Sequence, residues 1–565
     1  MRRKIYSRQF FQNMVIGVLF FLSILAIIKT LFVSTDIDES YAVAAAYRLL
    51  NGDAMFGNMW EPHQMSAWLP ALLLWPYKLV FGDLEYSVLF LRVAGTTLHL
   101  VGGVFVFAFV RKRLDVARGL LFFLIHMNFL PKWLQIPEFE WMNYMMLLVA
   151  FVLGLTCLEG RWEFWKLCLL GMMMALQLLN YPTMILLYPF YMYALFRESD
   201  GKVRYIAIST IAAIIVGCAF LVYLFSGTTG ETFLVALKYI FADPSHAEKS
   251  IWVRFSEYVM TLSWDILCSA CVLAGLYAIL LLVKGIDWKQ RVVFALKVEI
   301  IFYSVVSGIG MVFGDQNQFF LQSRYLICVV LGVFCYYTGE RNKLQRICMF
   351  FGIVPGVVSM FATLLVTNMT INVAYSKLFI GVIASLVIVC SSKEGAVDEW
   401  LNMCTVFATI MTLIVCKLVL IRVTGCVPVT MRATLEKLDY GAWKGIYVVD
   451  DLAKKRNDNY ELLSKYVEAG DTMLYFGCDT GVYVDMQVNV GASSVQGTAV
   501  FNQDFVDYYA EFPGKYPSIV VVDKKYQEDY YFVYSPYNYI LKEWIENDYN
   551  YTEMVETENL KIYMR

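Results

Sequence analysis

Apolar runs long enough to cross a lipid bilayer recur along this chain, and they decide its class before any motif is read. A bilayer span takes about 20 predominantly apolar residues. Runs of that character cover residues 11–33, 85–110, 116–134, 140–158, 167–180, 182–196, 204–226, 258–283, 292–313, 325–339, 347–367, 374–390 and 401–421. Only 17% of the residues are charged and 59% are hydrophobic, whereas soluble domains carry about 25% charge. The fold class expected is a polytopic α-helical membrane protein with about 13 transmembrane helices over residues 1–422, followed by a soluble domain over 423–565.

Charge sets the orientation. Cytoplasmic connections hold the excess Lys and Arg, and alternate connections here do so: Arg111-Lys112-Arg113, Arg161 with Lys166, Arg197 with Lys202 and Arg204, Lys284 with Lys289 and Arg291, and Arg341 with Lys343 and Arg346. They share one side if the N-terminus is cytoplasmic. The basic residues Arg2, Arg3, Lys4 and Arg8 precede a long apolar run with no small-residue cleavage site after it, so that run is expected to be a retained first helix rather than a removed signal. An odd number of spans then places 423–565 outside. The run 167–196 is divided at Asn180-Tyr181-Pro182, and reading it as one helix would break the charge rule downstream. The outer connections are 34–83, 227–257 and 314–324.

From residue 423 onward there are 13 Lys+Arg against 22 Asp+Glu. An acidic domain suits neither nucleic acid, which needs a basic surface, nor a seat on anionic lipid. Residues 472–476 and 518–522 read as buried strands, 450–468 and 536–548 as helices, and 551–564 as one or two final strands, which implies an α/β layer domain. Gly477-Cys478-Asp479-Thr480-Gly481 follows a strand but lacks the Lys of a phosphate loop. The domain's many tyrosines read as packing, with stacking on a glycan as the other possibility. Cys426 and Cys478 fall in this segment, and whether they pair is open; Cys268 and Cys271 read as small buried hydrophobes rather than metal ligands.

The first outer loop is the most informative stretch. It begins Thr35-Asp36-Ile37-Asp38-Glu39-Ser40-Tyr41, continues as a helix over 41–50 with Gly52 as its stop, and reaches Trp60-Glu61-Pro62-His63-Gln64. Helix capping by Thr35 and Asp38 explains one or two of the acids. It does not explain Glu61, His63 and Gln64 beside Trp60 and Trp68, a mixture of rigid aromatics and polar groups that suits a ligand site at the membrane boundary. A carboxylate there can take a proton from an incoming hydroxyl, which then attacks a carbon bearing a good leaving group. A lipid phosphate is such a group, and cations must hold its charge. Arg92, inside the second span, and Arg324, in Gln322-Ser323-Arg324-Tyr325, are the candidates; structural pairing for Arg92 and interfacial snorkelling for Arg324 are the alternatives.

At these residues the chain resembles the GT-C superfamily of polyprenyl-phosphate-sugar-dependent glycosyltransferases, especially protein O-mannosyltransferase-like and aminoarabinose-transferase-like enzymes. The resemblance is carried by Asp38-Glu39-Ser40-Tyr41 followed by Gly52-Asp53, by Trp60-Glu61-Pro62-His63-Gln64, by Pro137-Glu138-Phe139-Glu140 and by Gln322-Ser323-Arg324-Tyr325. It implies a GT-C fold with an amphipathic helix of the first loop lying on the membrane. It also implies an undecaprenyl- or dolichyl-phosphate sugar donor, a loop acid as general base, and transfer with inversion. Asp38 matches the base position best, then Glu39, then Asp36; the acid-to-Tyr spacing is one residue shorter than in the aminoarabinose enzymes. Tyr41, Glu61, His63, Gln64, Arg92, Glu140, Arg324 and Tyr325 are the expected substrate-binding residues. No cofactor and no metal are expected. The partners implied are membrane lipid, the lipid-linked donor and a glycan, lipid or protein acceptor, at a plasma membrane, bacterial by the undecaprenyl analogy. A transporter or lipid-linked-sugar flippase is the rival reading, and a scaffolding membrane protein a third. A transporter would place its polar residues at mid-bilayer.

Overall fold

The computed structural model describes the chain apart from residues 1, 132–134, 160–163, 200–201, 242–249, 314–318, 366–370, 393–395, 423–427, 431–433, 478, 496–503 and 525–535. Cys426, Cys478 and residues 314–318 of the outer connection 314–324 therefore lie outside the described residues.

Helices α1 (Arg2–Phe32), α2 (Ile37–Leu50), α3 (Trp68–Phe81), α4 (Ser87–Arg113), α5 (Val116–Asn128) and α6 (Phe139–Glu159) open the chain. Against the expectation of about 13 spans, 8 described helices are long and apolar enough to cross a membrane, and four more are apolar but shorter. The shortening has visible causes. The run 167–196 breaks where expected: one helix ends at Asn180, and a 3-10 turn over Pro182–Leu187 leads into the helix Tyr188–Glu198. The run 374–390 likewise begins as a short 3-10 segment, Tyr375–Leu378. Many outward residues of the longest helices are large and apolar, among them Ile214, Ile215, Leu221, Leu267 and Ile279. Such a surface is stable facing hydrocarbon rather than water.

The two ends of the bundle differ. At one end Arg118 pairs with Glu399 and Arg346 with Glu198, so the basic connections 111–118 and 341–346 lie on the end where the charge pattern groups them. At the other end Lys29 Nζ reaches Lys417 O, Lys417 Nζ reaches Met127 O, and Lys377 pairs with Glu140. Between the ends, α4 and α5 clasp each other through two stacked imidazoles 4.0 Å apart. His99 Nε2 bonds His126 O and His126 Nε2 bonds His99 O, each at 2.8 Å, and Tyr144 OH meets His126 Nδ1 at 2.7 Å. Gly102 and Gly103 make room, because a Cβ at either would stand 3.2 Å from the His126 ring.

The first outer loop is built from α2 and α3. Gly52, at φ +89°, lets the chain turn away from α2, a conformation that costs other residues a Cβ clash. Gly82, at φ +80°, caps α3 in the same way. Helix α3 turns Leu74 inward and leaves Leu72, Trp75, Leu79, Val80 and Phe81 exposed, so it is one-sided as the resemblance requires of a membrane-surface helix.

After the helix Ala396–Val419 comes a small antiparallel pair, Leu420–Arg422 with Pro428–Thr430, at the expected boundary. The remainder combines strands and helices. A five-stranded sheet runs in the order Asn489–Val490, Thr472–Phe476, Ile519–Asp523, Leu560–Met564, Glu553–Glu556. The first three strands are parallel and the last two antiparallel. Helices Asp450–Leu463 and Pro536–Asn547 lie where helical spacing placed them. The core of this domain is continuous with the first loop: Tyr41, Val43, Tyr47, Phe56 and Trp60 belong to the same buried cluster as Trp443, Tyr483 and Tyr508.

Candidate functional site at the loop end of the bundle

The three loop acids separate on folding. Asp36 is the N-cap of α2, its side chain accepting from Asp38 N at 3.0 Å, so the cap falls on Asp36 rather than Thr35. Glu39 is fully buried and forms a bidentate pair with Arg92, both contacts at 2.7 Å. Arg92 also donates to Leu31 O and Ser34 O, tying α4 to the end of α1. Glu39 and Arg92 thus face each other and hold the start of α2, which corrects the expectation of a base and a phosphate-binding cation for these two. Asp38, in the first turn of α2, is the one acid of the three with partial solvent access.

Glu61 is a second correction. It is buried, pairs with Arg48 at 2.9 Å, and accepts from Ser494 OH and from Val495 N. Burial pushes its carboxyl upward and the Arg48 charge draws it back. Arg48 reaches Asp53 at 2.7 Å as well. This group seals the loop to the C-terminal domain, so Glu61 is a joint rather than a substrate contact. Tyr41 borders it: its hydroxyl accepts from His63 N at 3.3 Å, and burial raises its pKa well above the usual phenol value.

His63 stacks on Phe139 with centroids 4.1 Å apart and lies 6.0 Å from Tyr181. Glu140, one residue on, is buried against Lys377, whose ammonium also stands 4.9 Å from the Tyr181 ring. Glu138 caps α6, accepting from Glu140 N and Trp141 N. His63 and Glu140 thus lie on either side of Phe139 and Tyr181, with Lys377 beside them. Lys377 had a signal in the sequence, a cation inside an apolar run.

Arg324 is wholly buried, and among the described residues none of its three guanidinium nitrogens has a hydrogen-bond partner. It stands 5.1 Å from the Tyr325 ring. Tyr325 packs edge-on against Phe379, which stacks on Phe129 at 3.5 Å. Phe379 follows Lys377 by two residues, so this aromatic set joins Arg324 to the Glu140–Lys377 pair. An uncompensated buried cation costs several kcal/mol, about the penalty of leaving one partner of a buried ion pair alone. Other buried groups lack partners too: Gln64 Nε2, Trp68 Nε1, Trp141 Nε1 and both amide atoms of Asn143. Buried polar atoms are normally satisfied, and a polar ligand would satisfy these.

Fold and site together define a polytopic membrane protein with a buried guanidinium and a loop carboxylate at one end of its bundle. No family model and no curated protein matches the chain. Among solved structures it is similar to the oligosaccharyltransferase of Archaeoglobus fulgidus in the apo form, with 10% identity and a TM-score of 0.44 over 92% of this chain and 70% of that one. It is similar to the archaeal oligosaccharyltransferase AglB from the same organism in complex with an inhibitory peptide and a dolichol-phosphate, with 11% identity and a TM-score of 0.42 over 91% and 70%. It is also similar to ArnT from Cupriavidus metallidurans bound to undecaprenyl phosphate, with 10% identity and a TM-score of 0.42 over 98% and 97%.

Proposed function

We propose that this protein is a GT-C-type membrane glycosyltransferase that moves a sugar from a polyprenyl-phosphate donor to a hydroxyl acceptor at the outer face of the membrane. The observation that carries the reading is the buried, unpartnered guanidinium of Arg324 at the same end of the bundle as a partly open loop carboxylate. In this mechanism Asp38 takes the proton of the acceptor hydroxyl as its oxygen attacks the anomeric carbon. The bond from that carbon to the phosphate oxygen breaks, the configuration inverts, and the released lipid phosphate leaves its charge against Arg324. Tyr41, His63, Gln64 and Glu140 line the approach, with Tyr325 beneath the guanidinium. Glu39 and Arg92 act as positioning residues. The N-terminus is cytoplasmic and the C-terminal domain lies outside the cell, in the plasma membrane of a bacterium if the carrier is undecaprenyl.

One observation favours transport instead. Asp265 accepts from Tyr375 OH and Glu299 from Ser269 OH, both acids buried between membrane helices. Asp38→Asn separates the two readings. With a panel of polyprenyl-phosphate sugars, release of polyprenyl phosphate by the purified protein is expected to fall about 100- to 10,000-fold in the variant, with folding unchanged. Undiminished release in Asp38→Asn removes the proposed base. Lipid-linked sugar crossing a vesicle membrane without transfer establishes the transport reading.

A further inference from the structure

A second cavity lies where the first loop meets the C-terminal domain, away from the reacting groups. Its volume is about 310 Å³, and its walls include Tyr47 and Asn51 from the end of α2, Lys78 and Asp83 from the end of α3 and beyond, and Gln487 and Asn489 from the C-terminal domain. Asp38 and Asn51 stand at opposite ends of α2, roughly 20 Å apart at about 1.5 Å of rise per residue. At the low end of the range for ligand pockets, about 300–1,000 Å³, the volume admits a small ligand.

The lining chemistry selects among ligands. It carries one ammonium and one carboxylate, three primary amides and a buried phenol. Lys78 is already committed, donating to Asn51 Oδ1 at 2.8 Å and standing 5.8 Å from the Tyr47 ring. A phosphate would share the one cation with Asn51 and would face Asp83. A neutral polyol would find donors and acceptors from the amides and the carboxylate, the pattern that hydroxyl groups require. Gln487 is held at φ +52°, a left-handed conformation uncommon for a residue with a side chain. That turn is tied down by Gly470 N on Gln487 O and by Asn489 Nδ2 on Gly470 O.

We propose that this crevice is a carbohydrate-binding subsite for an uncharged sugar unit, clamped between the first loop and the C-terminal domain. That the sugar belongs to the acceptor rests on the transferase reading; the binding itself does not.

The test is titration of the purified full-length protein with a panel of neutral linear oligosaccharides, glucans, mannans and galactans, followed by ligand-observed NMR. Inorganic phosphate and anionic-lipid nanodiscs serve as the comparison probes. Saturable binding of at least one glycan is expected. It should weaken at least tenfold in Gln487→Gly/Lys78→Met, where the glycine also relaxes the left-handed turn, and stay unchanged in Asp38→Asn. Absence of saturable glycan binding to the wild-type protein overturns the proposal. So does equal binding by the double variant, displacement of the sugar by phosphate, or loss of binding in Asp38→Asn alone. Loss of transfer with glycan binding intact, or the reverse, tells failure of this subsite from failure of the reaction proposed above.

Discussion

Arg48 and Glu61 meet at 2.9 Å with neither side chain accessible to solvent, and the same carboxylate holds Ser494 and Val495 of the C-terminal domain. Arg48 in turn donates to Ser493 O, and Trp60 N donates to that same carbonyl. The loop that carries the candidate base is therefore fastened to a domain far away in the chain through the bonds of this buried pair to residues 493–495, beside a second ion pair between Asp53 and Lys515.

Removing the cation strands a buried carboxylate, whereas removing Glu61 leaves Arg48 paired with Asp53. Arg48→Met is expected to cost about 3–5 kcal/mol and to loosen the C-terminal domain from the loop, and Glu61→Gln to cost less. Thermal unfolding and limited proteolysis within 434–565 measure this. A melting temperature and cleavage pattern like the wild type's contradict the joint.

Arg324 should behave in the opposite sense. With no partner to strand among the described residues, Arg324→Met is expected to keep or raise the melting temperature while weakening binding of polyprenyl phosphate. The loss of one to two charged hydrogen bonds, about 1.5–3 kcal/mol each, corresponds to a tenfold loss of affinity or more. A variant that melts far below the wild type would show that the guanidinium serves the fold instead.

Glu39 and Arg92 are predicted to couple. Glu39→Gln alone strands Arg92 and should destabilise by several kcal/mol, whereas Glu39→Gln with Arg92→Met should recover most of the loss. Thermal unfolding of the four members of the cycle gives the coupling energy. Additive effects would deny the pairing.

Asp485 makes the C-terminal domain pH-sensitive. Burial and the neighbouring Asp479 charge push its carboxyl up from 3.8 to about 7, against the pull of Arg456. The folded state thus holds the proton more tightly than the unfolded chain. The stabilisation is fully present below about pH 4 and is lost as pH rises through about 7. Asp485→Asn keeps an oxygen to accept from Ala442 N, a 2.7 Å bond in the native protein. It should flatten that slope, read from Trp443 fluorescence during unfolding between pH 4 and 8. A slope unchanged in the variant assigns the titration elsewhere.

Local features were readable in the sequence because their causes are local. Gly52 ends α2, Pro182 follows the break at Tyr181, and the strands at 472–476 and 519–523 appear as short apolar runs between turn residues. The roles of the loop acids were not readable, because charge pairing is not local. Glu39 finds Arg92 53 residues away and Glu61 finds Ser494 433 residues away. A run of acids announces that something will be compensated; it does not name the cation. Arg324 was marked by its place at the outer end of a span, but only packing shows that no carboxylate among the described residues bonds to it.

The continuous core shared by the first loop and the C-terminal domain sets a schedule for the ribosome and the insertion machinery. Residues 37–61 emerge early, yet Tyr508, which packs on Trp60, and the Ser493 carbonyl that completes the bonds of Arg48 are synthesised more than 400 residues later. Across most of translation the loop must wait with apolar side chains uncovered. Closure of the loop then comes late in biogenesis, and a nascent chain released before its C-terminal sheet forms would be inserted with that loop still open.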